Sequence, residues 1–249
     1  FHTGHARLIR QVRQAAGPEA AIVIIMSGAF VQRGEPAFFD KWHRAAWAID
    51  GGADVVIELP AVYALSSAAG FAQGGVTLAA RLGCQALACG VEGGTAADFL
   101  SLARRSEGLT ACLKAAKKSS AGQQLTDALM AAAPDEARLL QQPNALLAFE
   151  YARAMLKQEQ PLTFLPLPRQ GRHGDTGLGA AFASASALRQ AMRCSGTAAA
   201  CRPYLIAASL AGAEDQLAQG AFTDYGRYGD FVASHNRLLT PDQLRSLPA

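Results

Sequence analysis

Two short runs of β-branched and aliphatic residues constrain this chain most: Ala20-Ala21-Ile22-Val23-Ile24-Ile25-Met26 and Asp54-Val55-Val56-Ile57-Glu58-Leu59. Neither alternates with polar residues, so each reads as a strand covered on both faces, the condition of a parallel sheet between helices. Gln85-Ala86-Leu87-Ala88-Cys89 is a weaker third run, and Pro161 to Pro166 a short later one. Helical periodicity fills the gaps over Ala6 to Gln14, Lys41 to Ile49 and Ser66 to Leu82. Parallel strands joined through helices imply an α/β fold with a doubly wound sheet and right-handed crossovers. Ligands in such sheets bind beyond the carboxyl ends of the strands, where the loops Met26 to Phe38, Leu59 to Leu65 and Gly90 to Gly94 gather.

From Thr95 to about Gln142 the pattern turns helical and Ala-rich, with breaks at Gly108, Ser119-Ser120 and Pro134, and reads as an insertion between strands. Pro143-Asn144 opens a further helix to about Gln158. The Gly-rich loop Arg169 to Gly179 leads to Ala183-Ser184-Ala185-Ser186 and a helix carrying Leu188, Arg189 and Met192. These boundaries give one domain over 1–195 with an insertion at about 95–142, and the start of a helical C-terminal region over 196–249.

At 249 residues, half of them hydrophobic, the chain can bury a substantial core. A net charge of +3 is too small to announce a nucleic-acid binder, although a phosphate-bearing partner is compatible with it. The cysteines Cys84, Cys89, Cys112, Cys194 and Cys201 are odd in number, lack C-x-x-C spacing and fit a reducing cytoplasm. No apolar run approaches bilayer-spanning length, so a soluble protein is expected.

The chemistry concentrates at His2-Thr3-Gly4-His5. Two imidazoles at the start of a helix meet unpaired amides and a positive dipole end, where anionic oxygens are welcome, and Gly4 allows close approach to the backbone. His2 and His5 can then hydrogen-bond charge that develops on an α-phosphate. A helix cap accounts for the same four residues without a ligand. No further His, Asp or Glu cluster stands nearby, so a metal site is not expected there. Ser184 and Ser186, with Arg189 one turn on, form a second candidate anion grip, for which an ordinary serine N-cap is again the plainer reading. Their joint presence favours nucleotide transfer, which needs one grip on the α-phosphate and another on the departing pyrophosphate.

His2 to His5 with the distal Ser-x-Ser-x-x-Arg resembles the H-x-G-H and I-S-S-T-x-I-R signatures of the nucleotidylyltransferase superfamily. More narrowly, Met26 to Ala37, Asp40 to Ala45 and Gly52 to Pro60 resemble blocks of the bacterial tRNA(Met) cytidine acetate ligase family. The similarity continues through Ser67-Ala68, Phe71-Ala72-x-Gly74, Cys89-Gly90-x-Glu92, Pro143-Asn144, Arg169 and Ala183 to Arg189, nearly the whole chain. Ser186 stands where that family usually has Thr, which keeps the hydroxyl.

The resemblance implies a nucleotidylyltransferase-like Rossmann-type domain that activates acetate with ATP as acetyl-adenylate. The acetyl group then passes to N4 of the wobble cytidine of elongator tRNA(Met). It implies His2 and His5 as catalytic residues and Thr3 and Gly4 beside the ATP phosphates. Gly90 would admit the nucleotide to a strand end, Asn144 and Arg169 would complete the pocket, and Ser184, Ser186 and Arg189 would form the second grip. Mg²⁺ is expected to accompany ATP, and neither DNA nor a membrane is expected as a partner. The resemblance also implies a strand leading into Phe1 and helical sequence after Ala249, so part of the ATP pocket is expected upstream.

Two other readings remain open at this level: an adenylyltransferase moving AMP to a small phosphorylated acceptor, and an inactive nucleotide- or RNA-binding fragment. Arg104, Arg105, Lys114, Lys117 and Lys118 are candidates for RNA phosphate contacts, though a solvated face explains them as well. Arg33 and Lys41 stand between phosphate binding and simple solvation. Trp42 and Trp47 read as packing residues, and Glu58 as a strand-end carboxylate in need of a partner.

Overall fold

A computed structural model gives the conformation of residues 1–249 except 33, 114–120, 170–182, 239, 241 and 244–249, with side chains at 110–113, 121, 123 and 236 also outside the described set. In chain order the elements are α1 (Thr3–Ala16), β1 (Val23–Ser27), α2 (Lys41–Asp50), β2 (Val55–Leu59), α3 (Ala61–Ala64), α4 (Ala68–Arg81) and β3 (Ala86–Val91). There follow α5 (Ala96–Leu113), α6 (Ala121–Ala132), α7 (Pro134–Ala137), α8 (Pro143–Met155), β4 (Thr163–Pro168) and α9 (Ala185–Ser195). The chain continues through α10 (Ala207–Ala218) and α11 (Tyr225–Leu238), with 3₁₀ turns at Arg138–Gln141 and Ala199–Tyr204.

The architecture is α/β with parallel strands, as the unbroken apolar runs predict. β1 pairs with β2 from Val23↔Val55 to Ser27↔Leu59, and β3 with β4 from Ala86↔Thr163 to Val91↔Pro168. Among the described residues these are two separate parallel pairs. A cavity of about 140 Å³ lies between them, lined by Val23 and Ile25 of β1 and by Ala86, Leu87 and Ala88 of β3. Each strand sits within three residues of its predicted position.

Helix starts follow local chemistry. Asp40 caps α2 by accepting from the amides of Trp42 and His43, Ser67 caps α4 by accepting from Gly70, and Pro143 occupies the first turn of α8, where a missing N–H costs nothing. Three expectations change. The loop after β2 contains a helical turn, α3. Helix α5 runs straight through Gly108, because a single glycine lowers helix stability without ending it. Trp42 is 75 % exposed, whereas Trp47 is buried at 5 %. Five residues at 100° each turn the two indoles to different sides of α2, so only Trp47 faces the interior. The predicted break at Ser119-Ser120 lies outside the described residues.

Two apolar clusters dominate. The larger joins α4, α5, α6, α8 and β4 around Phe99, Leu102, Leu129, Phe149 and Phe164. The other gathers Phe38, Phe39 and Trp47 with Leu188 and Met192 of α9 and Leu210, Ala213 and Leu217 of α10. α10 therefore packs onto elements far earlier in the chain. Thr223 Oγ1 and the Tyr225 hydroxyl tie the segment beyond it to the carbonyls of Ala37 and Pro36.

Candidate active site

Helix α1 begins on the H-x-G-H motif, and the two imidazoles are built into its first turn. His2 is the N-cap: its Nδ1 accepts from the amide of Gly4 at 3.1 Å, while His5 Nδ1 accepts from the amide of His2 at 3.4 Å. The capping explanation is thus correct as structure, and it has a chemical consequence. A ring nitrogen that accepts from an amide carries no proton, so each neutral imidazole holds its hydrogen on Nε2. The rings stack at 3.8 Å with 20° between planes. Gly4 makes room for this arrangement, since a Cβ there would lie 2.8 Å from His2 Cε1.

Both imidazoles are held neutral. Burial lowers the His2 pKa from 6.5 to about 4, aided by positive charge that includes Arg169 and Arg189. His5 lies on an open cleft and keeps an exposed edge. Loss of solvent on its protein-facing sides nevertheless holds its pKa well below the ordinary value, with His2 and Arg169 adding to the effect. The result is a pair of uncharged Nε2–H donors in a field made positive by two guanidinium groups, which attracts anions without protonating the rings.

The cleft on one side of the pair is lined by His2, Thr3, Gly4, His5, Gly90 and Arg169, among others. Arg169 follows β4 and its side chain lies across the end of β3, so a Cβ on Gly90 would sit 2.6 Å from Arg169 Cγ. Gly90 thereby admits Arg169 itself. Arg169 Nη1 donates to Asn144 Oδ1 at 2.9 Å, and Asn144 Nδ2 donates to Glu92. Glu92 also accepts from the amides of Asn144 and Ala145, capping α8. Asn144 therefore serves the cleft by orienting Arg169.

The second predicted grip is divided. Ser184 is the N-cap of α9, accepting from the Ala187 amide at 3.1 Å, and Ser186 accepts from Arg189 Nη2 at 3.1 Å. Neither serine is among the residues lining the cavities on the two sides of the imidazoles, whereas Arg189 lines the cavity on the side away from Gly90. The two helix starts do converge on the imidazole pair, with Ala183 in one wall and Ala185 in the other.

Other candidates fall away from this centre. Lys41 Nζ pairs with Glu58 at 2.6 Å, giving that strand-end carboxylate its partner. Arg105 pairs with Glu136 at 3.3 Å, and Arg104 is exposed. Arg33, Lys114, Lys117 and Lys118 lie outside the described residues, as does the loop after Arg169.

Two further residues matter, neither assigned a role from the sequence. Glu92 anchors the Asn144–Arg169 chain; its signal was an acid directly after a buried strand. Arg44 lines the second cavity from inside the apolar pattern of α2. Its Nε and Nη2 donate to the carbonyls of Phe39, Ser27 and Gly28, and no carboxylate touches it among the described residues. Burial lowers its pKa, only partly opposed by the more distant charges of Asp40 and Glu58.

The H-x-G-H pair opens a helix beside the ends of two parallel strands, and the chain belongs to the HIGH Nucleotidyl Transferase family, which matches residues 1–249. Its relatives carry one name. The chain is 40 % identical over 205 residues to a tRNA(Met) cytidine acetate ligase of Syntrophomonas wolfei, covering 77 % of this chain and 49 % of that protein. It is 38 % identical over 231 residues to the ligase of the same name from Latilactobacillus sakei, covering 87 % of this chain and 57 % of that one. The crystal structure of Thermotoga maritima TmcAL in its apo form superposes with a TM-score of 0.84 at 28 % identity, covering 97 % of this chain and 60 % of that chain. A second crystal structure of that protein, bound with alpha-thio ATP, matches with a TM-score of 0.77 at 30 % identity, covering 89 % of this chain and 54 % of that chain. The chain spans about half the length of the curated relatives it matches.

Proposed function

We propose that this chain carries the adenylate-forming site of an ATP-dependent tRNA(Met) cytidine acetate ligase. The observation that carries the reading is the neutral, stacked imidazole pair with both Nε2–H donors free of the capping bonds and with Arg169 beside them. The names of the relatives and the ATP analogue in the Thermotoga maritima structure support it.

In this mechanism the ATP phosphates occupy the cleft of His2, Thr3, Gly4, His5, Gly90 and Arg169. A carboxylate oxygen of acetate attacks the α-phosphorus, the bond to the bridging oxygen of the β-phosphate breaks, and pyrophosphate leaves. The imidazoles donate hydrogen bonds to the α-phosphate oxygens as charge builds there, and Arg169 holds the polyphosphate in line. The cytidine N4 amine then attacks the acetyl carbon, AMP departs and N4 loses a proton. No enzyme nucleophile is needed. Among the described residues no three His, Cys, Asp or Glu side chains come together, so Mg²⁺ would be carried chiefly by the ATP phosphates and water, where it neutralises phosphate charge.

Transfer RNA would bind through phosphate contacts, Arg104 and the lysines at 114, 117 and 118 being the candidates, in a cytoplasmic setting. No helix among the described residues is long and apolar enough to cross a membrane. The test supplies radiolabelled acetate, ATP and bulk tRNA. Label in tRNA that depends on ATP supports the reading. AMP transferred to a small phosphorylated acceptor, with no label in tRNA, overturns it in favour of a simple adenylyltransferase.

A further inference from the structure

On the side of the imidazole pair away from Gly90 lies the second cavity, and the same His2 and His5 form part of its wall. Its lining is mostly apolar and includes Phe38, Phe39 and Trp47. Arg44 of α2 enters it with its positive charge unanswered. Nε and Nη2 donate to the carbonyls of Phe39, Ser27 and Gly28, which fix the guanidinium against the end of β1 and leave Nη1 without a partner among the described residues. The two acids that act on it from a distance are already engaged. Asp40 accepts from His43 and from the amides at the start of α2, and Glu58 pairs with Lys41. A second observation points the same way. Ser209 of α10, 1 % exposed, also lines the cavity, and its Oγ has no hydrogen-bond partner among the described residues. Buried polar atoms are almost always satisfied, so an orphaned hydroxyl and a surplus cation in one cavity point to a small anion bound between them.

We infer that Arg44 is the residue that holds the carboxylate of acetate for attack on ATP. The inference rests on the proposed carboxylate activation and deepens it. The two spaces meet at His2 and His5, so an acid anchored at Arg44 approaches an α-phosphate bound to those rings from the side opposite Arg169. That is the in-line direction when Arg169 holds the departing pyrophosphate. One carboxylate oxygen accepts from Nη1 and the other attacks phosphorus; the new O–P bond forms as the bond to the bridging oxygen breaks, and pyrophosphate leaves with that electron pair. The methyl group lies against the apolar lining. A role as a backbone clamp accounts for Nε and Nη2 but not for Nη1. With one nitrogen of the fork left, Arg44 suits a singly charged carboxylate, whereas the several charges of pyrophosphate call for more donors than Nη1 and the Ser209 hydroxyl supply. The three carbonyls that hold the guanidinium also fix it in advance, so no reorganisation is needed when the acid arrives.

The experiment titrates acetate, and separately pyrophosphate, into the unaltered chain at pH 8, with and without a non-hydrolysable ATP analogue, and follows the indole N–H signals of its two tryptophans by NMR. At that pH the Phe1 amine, whose pKa burial and the nearby Arg44 lower to about 6, is uncharged and does not hold the acid. Acetate should shift the signal of Trp47, which lines the cavity, to saturation, and leave that of the exposed Trp42 in place. Arg44→Met should weaken acetate binding at least tenfold with the affinity for the ATP analogue unchanged, and Arg44→Lys should recover part of the loss. The indole signal is read on the unaltered chain, so it decides the matter even if an Arg44 variant does not fold. A Trp47 signal that acetate does not move, acetate affinity unchanged in Arg44→Met, or pyrophosphate moving Trp47 where acetate does not would each overturn the inference. Failure of the ATP analogue to bind is a separate result: it removes the proposed activity, while the acetate titration still decides what Arg44 holds.

Discussion

The two apolar clusters of this molecule are built from similar residues and behave oppositely. Around Phe99 and Phe149 the side chains are closed off completely, with Phe99, Leu102, Leu129, Ala145, Ala148 and Ala152 at 0 % exposure. Around Phe38, Phe39 and Trp47 an equally aromatic set stops short of closing, and leaves a cavity with a cation and an orphaned hydroxyl in its wall. Close packing is the default of a protein interior, and each void forfeits contacts that would stabilise the fold. The difference teaches where the molecule is organised for stability and where it is organised to receive something. The closed cluster supports β3 and β4, whose ends carry Gly90 and Arg169, while the open one abuts the histidines directly.

The comparison breaks most visibly in the closed cluster. Truncating Phe149→Ala should destabilise the chain by about 3–5 kcal/mol in denaturant unfolding, because the tightly packed ring cannot be replaced by collapse. ATP affinity of the folded fraction should be unchanged, and a parallel loss of affinity would join the two regions into one.

Next comes the imidazole pair. His5→Ala should slow acetyl-adenylate formation by about 10²-fold to 10³-fold in a single-turnover assay, with a much smaller change in ATP dissociation constant, since the donor acts mainly on charge that develops during attack. An unchanged rate would leave His5 only its bond to the His2 amide.

Acid should then act selectively on this region. Burial puts the folded-state pKa of His2 below its ordinary 6.5, so the unfolded chain takes the proton first and stability falls as pH drops from 6.5 towards about 4. Above pH 6.5 this group contributes no slope. His2→Asn keeps a capping side chain without a titrating ring, and should reduce the slope in that window when unfolding is followed across pH, the remainder coming from His5, whose pKa is lowered by the same cause. An identical slope in the variant would assign the acid sensitivity elsewhere.

The smallest effect has the opposite sign. Ser209→Ala removes a buried hydroxyl with no partner, so it should leave thermal stability unchanged or raise it by about 1 kcal/mol. A loss of stability on that scale would mean that the hydroxyl is satisfied in solution and that the open cluster is less unfinished than it looks.

Much of this was legible in the sequence because it depends on local pattern. Continuous runs such as Ile22 to Met26 mark parallel strands, and a His-x-Gly-His at a helix start both caps the helix and displays two ring nitrogens. What the sequence did not disclose depends on which residues meet across long separations. Nothing local says that Gly90 makes way for the side chain of Arg169, or that Glu92 reaches the start of α8 more than fifty residues on. Trp42 and Trp47 look alike in an apolar helix, and only the face that α10 covers separates them. Arg44 and Ser209 become a pair only when α2 and α10 line the same cavity. Ser184 and Ser186 fit a capping motif and a phosphate grip equally well on paper; in the fold Ser184 caps α9 through the Ala187 amide, while Ser186 accepts from the side chain of Arg189.

The central claim is that two neutral imidazoles present Nε2–H donors to the phosphates of ATP. Long-range ¹H–¹⁵N spectra of the histidine rings at pH 7, recorded during an ATP titration, test it most directly. The account predicts that His2 and His5 are both neutral Nε2–H tautomers before ATP is added, and that their Nε2 signals move together and saturate as ATP binds. Imidazolium signals at pH 7, protons on Nδ1, or rings that do not respond to saturating ATP would contradict it.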